Sequence, residues 1–145
     1  MDFRGGVDWP QCDRERRAVV KMLFAVAMGG ALGAVGRYWV TIQVGHLLGA
    51  HFPYGTLVVN VVGSFLLGAL IETVAVAWSV SQETQAFLVI GFLGAFTTFS
   101  AFSIDAFFLF QRGEVTLAAV YVGASVVLSL FGFFAGLLIL RQVLA

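Results

Sequence analysis

Thirteen residues, Gly91–Ser103, gather two glycines, four hydroxyl side chains and four phenylalanines inside an otherwise apolar stretch. No covalent chemistry is written there. Hydroxyls and the positive edges of phenyl rings can instead take the place of water around a small ion. Thr97, Thr98, Ser100 and Ser103 supply the hydroxyls, and Phe96, Phe99 and Phe102 recur every third residue. Asn60 adds an amide within another apolar stretch, where it either donates to a passing anion or ties two helices together. Tyr121, Ser125 and Ser129 follow at i, i+4 and i+8, so one helix face carries all three, as a path lining or as hydroxyls bonded back to their own helix. Gly91 and Gly94 weaken a helix locally. A break at Gly94–Thr97 would free backbone carbonyls for a small hard cation such as sodium.

Charged residues within apolar stretches are few. Glu72 and Asp105 are intramembrane acids, hence suspects for proton coupling, with an interfacial or water-filled mouth position as the plainer reading. Arg37 precedes Tyr38 and Trp39, a setting in which an arginine snorkels to the interface, pairs internally or attracts an anion. No lysine or arginine falls between Thr84 and Phe110, so an anion path there relies on neutral donors.

The elements that position these groups must be membrane helices. Of 145 residues, 60% are hydrophobic and 11% charged, against about 25% charged in a soluble domain. The mean hydropathy is +0.97. A crossing needs about 20 residues, and four spans are predicted: about Val19 to Val44, Gly55 to Trp78, Thr84 to Phe110 and Val115 to Arg141. A Pro53–Gly55 turn, an N-cap at Ser81 and a tight turn at Gln111–Glu114 join them. Small residues pair at Gly29/Gly33, Ser64/Gly68, Gly91/Ala95 and Gly132/Gly136, the spacing that lets helices approach closely. The fold class is therefore all-α and integral to the membrane, with the third helix broken near its middle.

Zero net charge argues against a nucleic-acid surface. Cys12 is the only cysteine, and His46 and His51 are the only histidines. A disulfide framework, a zinc centre and a nucleophile–base enzyme site are all excluded on that inventory, so no enzyme is expected.

Residues 1–17 are of different composition and are expected to form a polar, disordered tail, with residues 18–145 forming the membrane domain. Four spans place both termini on one side, together with Arg4, Arg14, Arg16, Arg17, Lys21 and Arg141. The positive-inside rule puts that side in the cytoplasm. Met22 is an alternative start. From there Arg141 stands against Arg37 and Arg112, a near-zero bias that permits insertion in both orientations.

Three blocks, Gly29–Tyr38, Gly55–Phe65 and Gly91–Ser100, together resemble the CrcB/Fluc family of fluoride channels, over about Met22 to Arg141. The resemblance implies an antiparallel, dual-topology homodimer in the bacterial inner membrane. It also implies two fluoride pores and a structural sodium ion at the dimer axis. By motif, Asn60, Phe99 and Phe102 resemble pore residues, with Thr98 and Ser100 beside them and Tyr121, Ser125 and Ser129 as a polar track. Gly94 and Thr97 resemble the positions whose carbonyls bind sodium. Arg37 resembles an arginine near the end of the first helix, and Asp105 a mouth acid. The expected function is passive, fluoride-selective export, with fluoride, a second copy and the bilayer as partners. The basic tail departs from strict dual topology. The rival expectation is a small four-span proton-coupled exporter, for which Asp105 is the candidate acid.

Overall fold

The structure, a computed structural model, describes residues 9–76 and 79–144. Helix α1 (Trp9–Leu48) leads to α2 (Tyr54–Val76). The third span is composite: α3 (Gln82–Gln85), a π-helix (Ala86–Leu93), α4 (Gly94–Phe96) and α5 (Phe99–Gln111). Helix α6 (Val115–Leu144) closes the chain. Four helical stretches are long and apolar enough to cross a membrane: Asp13–Leu48, Tyr54–Val76, Gln82–Gln111 and Val115–Leu144. The four expected spans are thus present, each extended at one or both ends. Trp78, the expected end of the second, lies outside the described residues.

The expected disordered tail is corrected over residues 9–17, which belong to α1. Propagating an existing helix avoids the cost of nucleation. Pro10 falls in the first turn, where its missing N–H costs nothing, and the following Arg and Glu are good helix formers. Residues 1–8 of that tail lie outside the described residues.

The connections follow their local chemistry. Gly49 has φ 83° and Gly113 φ 79°, the left-handed conformation that glycine adopts without strain. The Ser81 hydroxyl accepts from the Thr84 N–H at 3.2 Å, capping α3 as its position predicted. At the other turn the N–H groups of Arg112, Gly113 and Glu114 bond back to Phe108, Phe110 and Leu109, which satisfies the carbonyls at the end of α5.

Packing explains the small residues. Side chains at Gly29 and Gly33 would collide with the carbonyls of Phe87 and Phe92, so α1 lies directly on the backbone of the π-helix. A Cβ on Gly91 would stand 2.8 Å from the Val26 carbonyl oxygen. On the opposite flank, Gly68 meets the Phe133 carbonyl and Gly136 meets the Phe65 carbonyl, a reciprocal seam between α2 and α6. In lipid, where apolar burial adds little, such close approach is what holds helices together. Glu72 and Arg141 close the same pair of helices near their C-terminal ends, with Arg141 Nε donating to Oε1 at 2.8 Å and its Nη2 to Oε2 at 3.1 Å. Tyr121, Leu109 and Val59 are fully buried. Tyr121 and Leu109 sit with Phe102 and Ala118 in one core cluster between α5 and α6.

Candidate ion pathway

The third span is interrupted one turn later than its glycines suggested. Gly94 remains α-helical, at φ −63° and ψ −35°. Thr97 (φ −79°, ψ 157°) and Thr98 (φ −152°, ψ 120°) are extended. The expected break at Gly94–Thr97 is therefore corrected to Thr97–Thr98. Gly91 and Gly94 do not end the helix; Gly91 admits α1, and a distant residue causes the break.

That residue is Asn60. Its Oδ1 accepts from the Thr98 N–H at 2.7 Å, and its Nδ2 donates to the Thr98 carbonyl at 3.0 Å. The side-chain amide thus replaces a neighbouring peptide group in a two-bond ladder. The lost helical bond of the Thr98 N–H is made good, as membrane depth demands, while its carbonyl, at the N-cap of α5, accepts from Asn60 in addition to the first bond of that helix. One Asn60 N–H lies beyond this ladder. Of the two readings of Asn60, the tie between helices is present, and a donor remains.

The interruption leaves four carbonyls, those of residues 94–97, without their helical donors. In an unbroken helix the Thr98 N–H would serve the Gly94 carbonyl and the Ala101 N–H that of Thr97. The first goes to Asn60. The second goes to the Thr98 hydroxyl at 3.1 Å, which caps α5. Gly94 and Thr97, the pair singled out from the sequence, are the two of these whose donors are redirected to side chains, those of Asn60 and Thr98.

Beside the break runs an open groove of about 390 Å³. Asn60, Gly94, Thr97, Thr98, Phe99, Phe102, Ser125 and Ser129 all line it. Residues from α2, the third span and α6 therefore converge on one groove. Ser100 joins through its hydroxyl, 3.2 Å from that of Thr98. The rings of Phe99 and Phe102 lie 5.2 Å apart, tilted by 45°. Phe99 is 77% exposed while Phe102 is buried.

Hydroxyl behaviour separates lining from scaffold. Thr73, Thr97 and Ser103 bond back to carbonyls one turn earlier, the usual arrangement in an apolar helix. Ser125 does not. Its Oγ is buried and without a partner among the described residues, and it borders the groove. Ser129, one turn on, is half-buried on the same wall.

Tyr121 stands apart from the groove. It is fully buried, its ring centroid 5.4 Å from that of Phe102, and its hydroxyl donates to Asp105 Oδ2 at 3.3 Å. Thr56 donates to the same oxygen at 2.6 Å. Asp105 also lines a second cavity of about 420 Å³ at the far end, beneath the turns at 49–53 and 111–112. Arg37 lies half-buried on α1 and lines neither space. Sequence reasoning missed Thr56, although it falls four residues before Asn60 on the same face of α2. The Glu72–Arg141 pair was also missed; nothing local marks a contact 69 residues apart.

Helices too apolar for water, a composite third span and a polar groove beside its break define a small multi-pass membrane protein built to handle ions. Residues 24–137 match the family described as CrcB-like protein, Camphor Resistance (CrcB), and the chain belongs to that family. It is 49% identical over 126 residues to a "Fluoride-specific ion channel FluC" of Rhodospirillum centenum, covering 87% of this chain and all of that relative. A protein of the same name from Agrobacterium fabrum is 53% identical over 117 residues, 81% of this chain and 94% of the relative. Another from Rhizobium etli is 52% identical over 116 residues, 80% and 93% respectively.

Proposed function

We propose that this chain is a passive, fluoride-selective channel of the bacterial inner membrane, lowering fluoride toxicity by letting the ion leave the cytoplasm. The observation that carries the reading is the groove: neutral donors converge there beside a helix break, on a chain about half identical to proteins named for fluoride conduction. Fluoride is small and a strong hydrogen-bond acceptor. Along the groove it exchanges water for the remaining Asn60 N–H, the Ser125 hydroxyl, the Thr98, Ser100 and Ser129 hydroxyls and the edges of Phe99 and Phe102. Chloride is larger and a weaker acceptor, so the same donors compensate its dehydration less well. The third span carries no fixed positive charge, and an ion held by neutral groups is free to leave. Tyr121 holds Phe102 from behind and keeps Asp105 occupied.

The working unit in this reading is an antiparallel homodimer. The groove is open, with Val126 and Leu130 of α6 among its lining, and a second copy would close it. Sodium is the cofactor. The Gly94 and Thr97 carbonyls are hard oxygen ligands whose helical donors are engaged elsewhere, which suits a small hard cation. Two carbonyls from each of two chains give four oxygens. When bound, the ion supplies a fixed positive charge that holds the two breaks together.

Purified protein in liposomes loaded with potassium fluoride tests the channel. A fluoride electrode should record release far above that from empty liposomes, and potassium chloride loading should give none. Absence of fluoride release, or equal chloride release, overturns the reading. A proton-coupled exporter is less favoured because Asp105 lies off the groove, its carboxylate engaged by Thr56 and Tyr121. Flux that follows an imposed pH gradient and stops in Asp105→Asn would restore it.

A further inference from the structure

We propose that the N-terminal extension of α1 is a docking face for anionic phospholipid headgroups, carried by Arg14, Arg17 and Lys21. Helix α1 has 40 residues, about 60 Å at 1.5 Å per residue. That is twice the hydrocarbon core of about 30 Å. Its register against the third span locates the excess. Gly29 rests on Phe87 and Gly33 on Phe92, so the two spans run in the same direction. Gln82, where the third span starts, is then level with α1 near Met22–Phe24. Everything before Lys21 rises out of the hydrocarbon on the side of the termini.

The sequence of that extension is ordered around the helix. Arg14, Arg17 and Lys21 fall at i, i+3 and i+7, within about 60° of one another, whereas Arg16 points to the opposite side. All are exposed. Among the described residues the ion pairs are Arg112–Glu114 and Arg141–Glu72, so neither Asp13 nor Glu15 pairs with the stripe, and Glu83 acts on Lys21 only at longer range. Lys21 stands at the hydrocarbon boundary, Arg17 about 6 Å above it and Arg14 about 10 Å above it. The headgroup layer is about 5–8 Å deep on each face. Long aliphatic stems let both arginines reach back into it. A stripe along the axis, continuous with a membrane span, therefore meets phosphates at two or three depths. Arg141, on the same side, has donors committed to both Glu72 oxygens and offers less.

The test is retention of added lipid by the full chain in detergent, followed by native mass spectrometry. Phosphatidylglycerol should be retained in preference to phosphatidylcholine, and rising salt should erode the preference. R14Q, R17Q and K21Q should each weaken phosphatidylglycerol retention roughly fivefold, and the triple variant should bring it to the phosphatidylcholine level. R16Q should leave it unchanged, and the pair R14K and R17K should keep it. Equal retention of the two lipids by the wild-type chain, insensitivity to salt, or a loss in R16Q as large as in R17Q overturns the proposal. The salt series uses the native sequence, so a folding defect in a variant does not obscure the answer.

Discussion

Asn60 and Thr98 exchange two hydrogen bonds across 38 residues of sequence, the side-chain amide of one taking the place of a peptide group beside the other. This relationship, rather than helix-breaking residues in the third span itself, sets where that span opens. It also takes the helical donor from the Gly94 carbonyl, one of the two proposed to hold a cation.

Replacing Asn60 with Ala leaves the buried N–H of Thr98 without a partner, while its carbonyl keeps the first bond of α5. Such a group costs about 1–3 kcal/mol. Asn60→Ala should therefore lower stability in a chemical unfolding titration as well as reduce fluoride flux. Wild-type stability with flux lost would assign the residue to the pathway alone.

Ser125 predicts the opposite pattern. Its buried hydroxyl makes no well-formed hydrogen bond among the described residues, so Ser125→Ala removes a poorly satisfied polar group. Stability should hold or rise by up to about 1–3 kcal/mol, while fluoride release slows. A drop in stability with unchanged release would make Ser125 a structural residue.

The seam between α1 and the π-helix admits no side chain. Gly33→Ala places a methyl group against the Phe92 carbonyl, and overpacking of this kind costs about 1–3 kcal/mol. Gly123→Ala meets nothing within 4 Å and should be neutral or stabilising by up to about 1 kcal/mol through helix propensity. Thermal unfolding of the two variants side by side checks both signs.

Glu72 and Arg141 should be mutually dependent. Glu72→Gln or Arg141→Gln should lower the unfolding temperature, and the exchange Glu72→Arg with Arg141→Glu should recover part of the loss. Additive losses in the double variant would mean that the pair does not couple α2 to α6.

Much of this was legible beforehand. Apolar length gave the four spans, and Ser81 capped the helix its position announced. The cluster Asn60, Thr98, Phe99, Phe102, Ser125 and Ser129 was assembled from residue types that a lipid-facing helix has no use for. What failed to show were contacts between distant residues. Gly91 and Gly94 carry an intrinsic tendency to end a helix, yet close packing against α1 uses Gly91 and Gly94 stays helical. The break obeys a hydrogen bond from another span. Asp105 looked solitary because Thr56 and Tyr121 approach it from α2 and α6. The helical start of α1 was hidden by a composition that also suits a tail. Local propensity reads each segment alone, and these features belong to pairs of segments.

The Asn60–Thr98 ladder also dictates an order of assembly. Peptide groups left bare in hydrocarbon are too costly to persist, so the Thr97–Thr98 opening has no stable existence in an isolated third span. That segment must enter the bilayer as an unbroken rod and open only after it has docked on α2, where the amide is waiting. Synthesis runs in the required direction, since α2 precedes the third span in the chain. The carbonyls proposed to hold sodium therefore become available only in a subunit whose helices have already found one another. On the proposed reading, a half-assembled chain offers no cation site, and pairing of two copies through it is reserved for subunits that have finished folding.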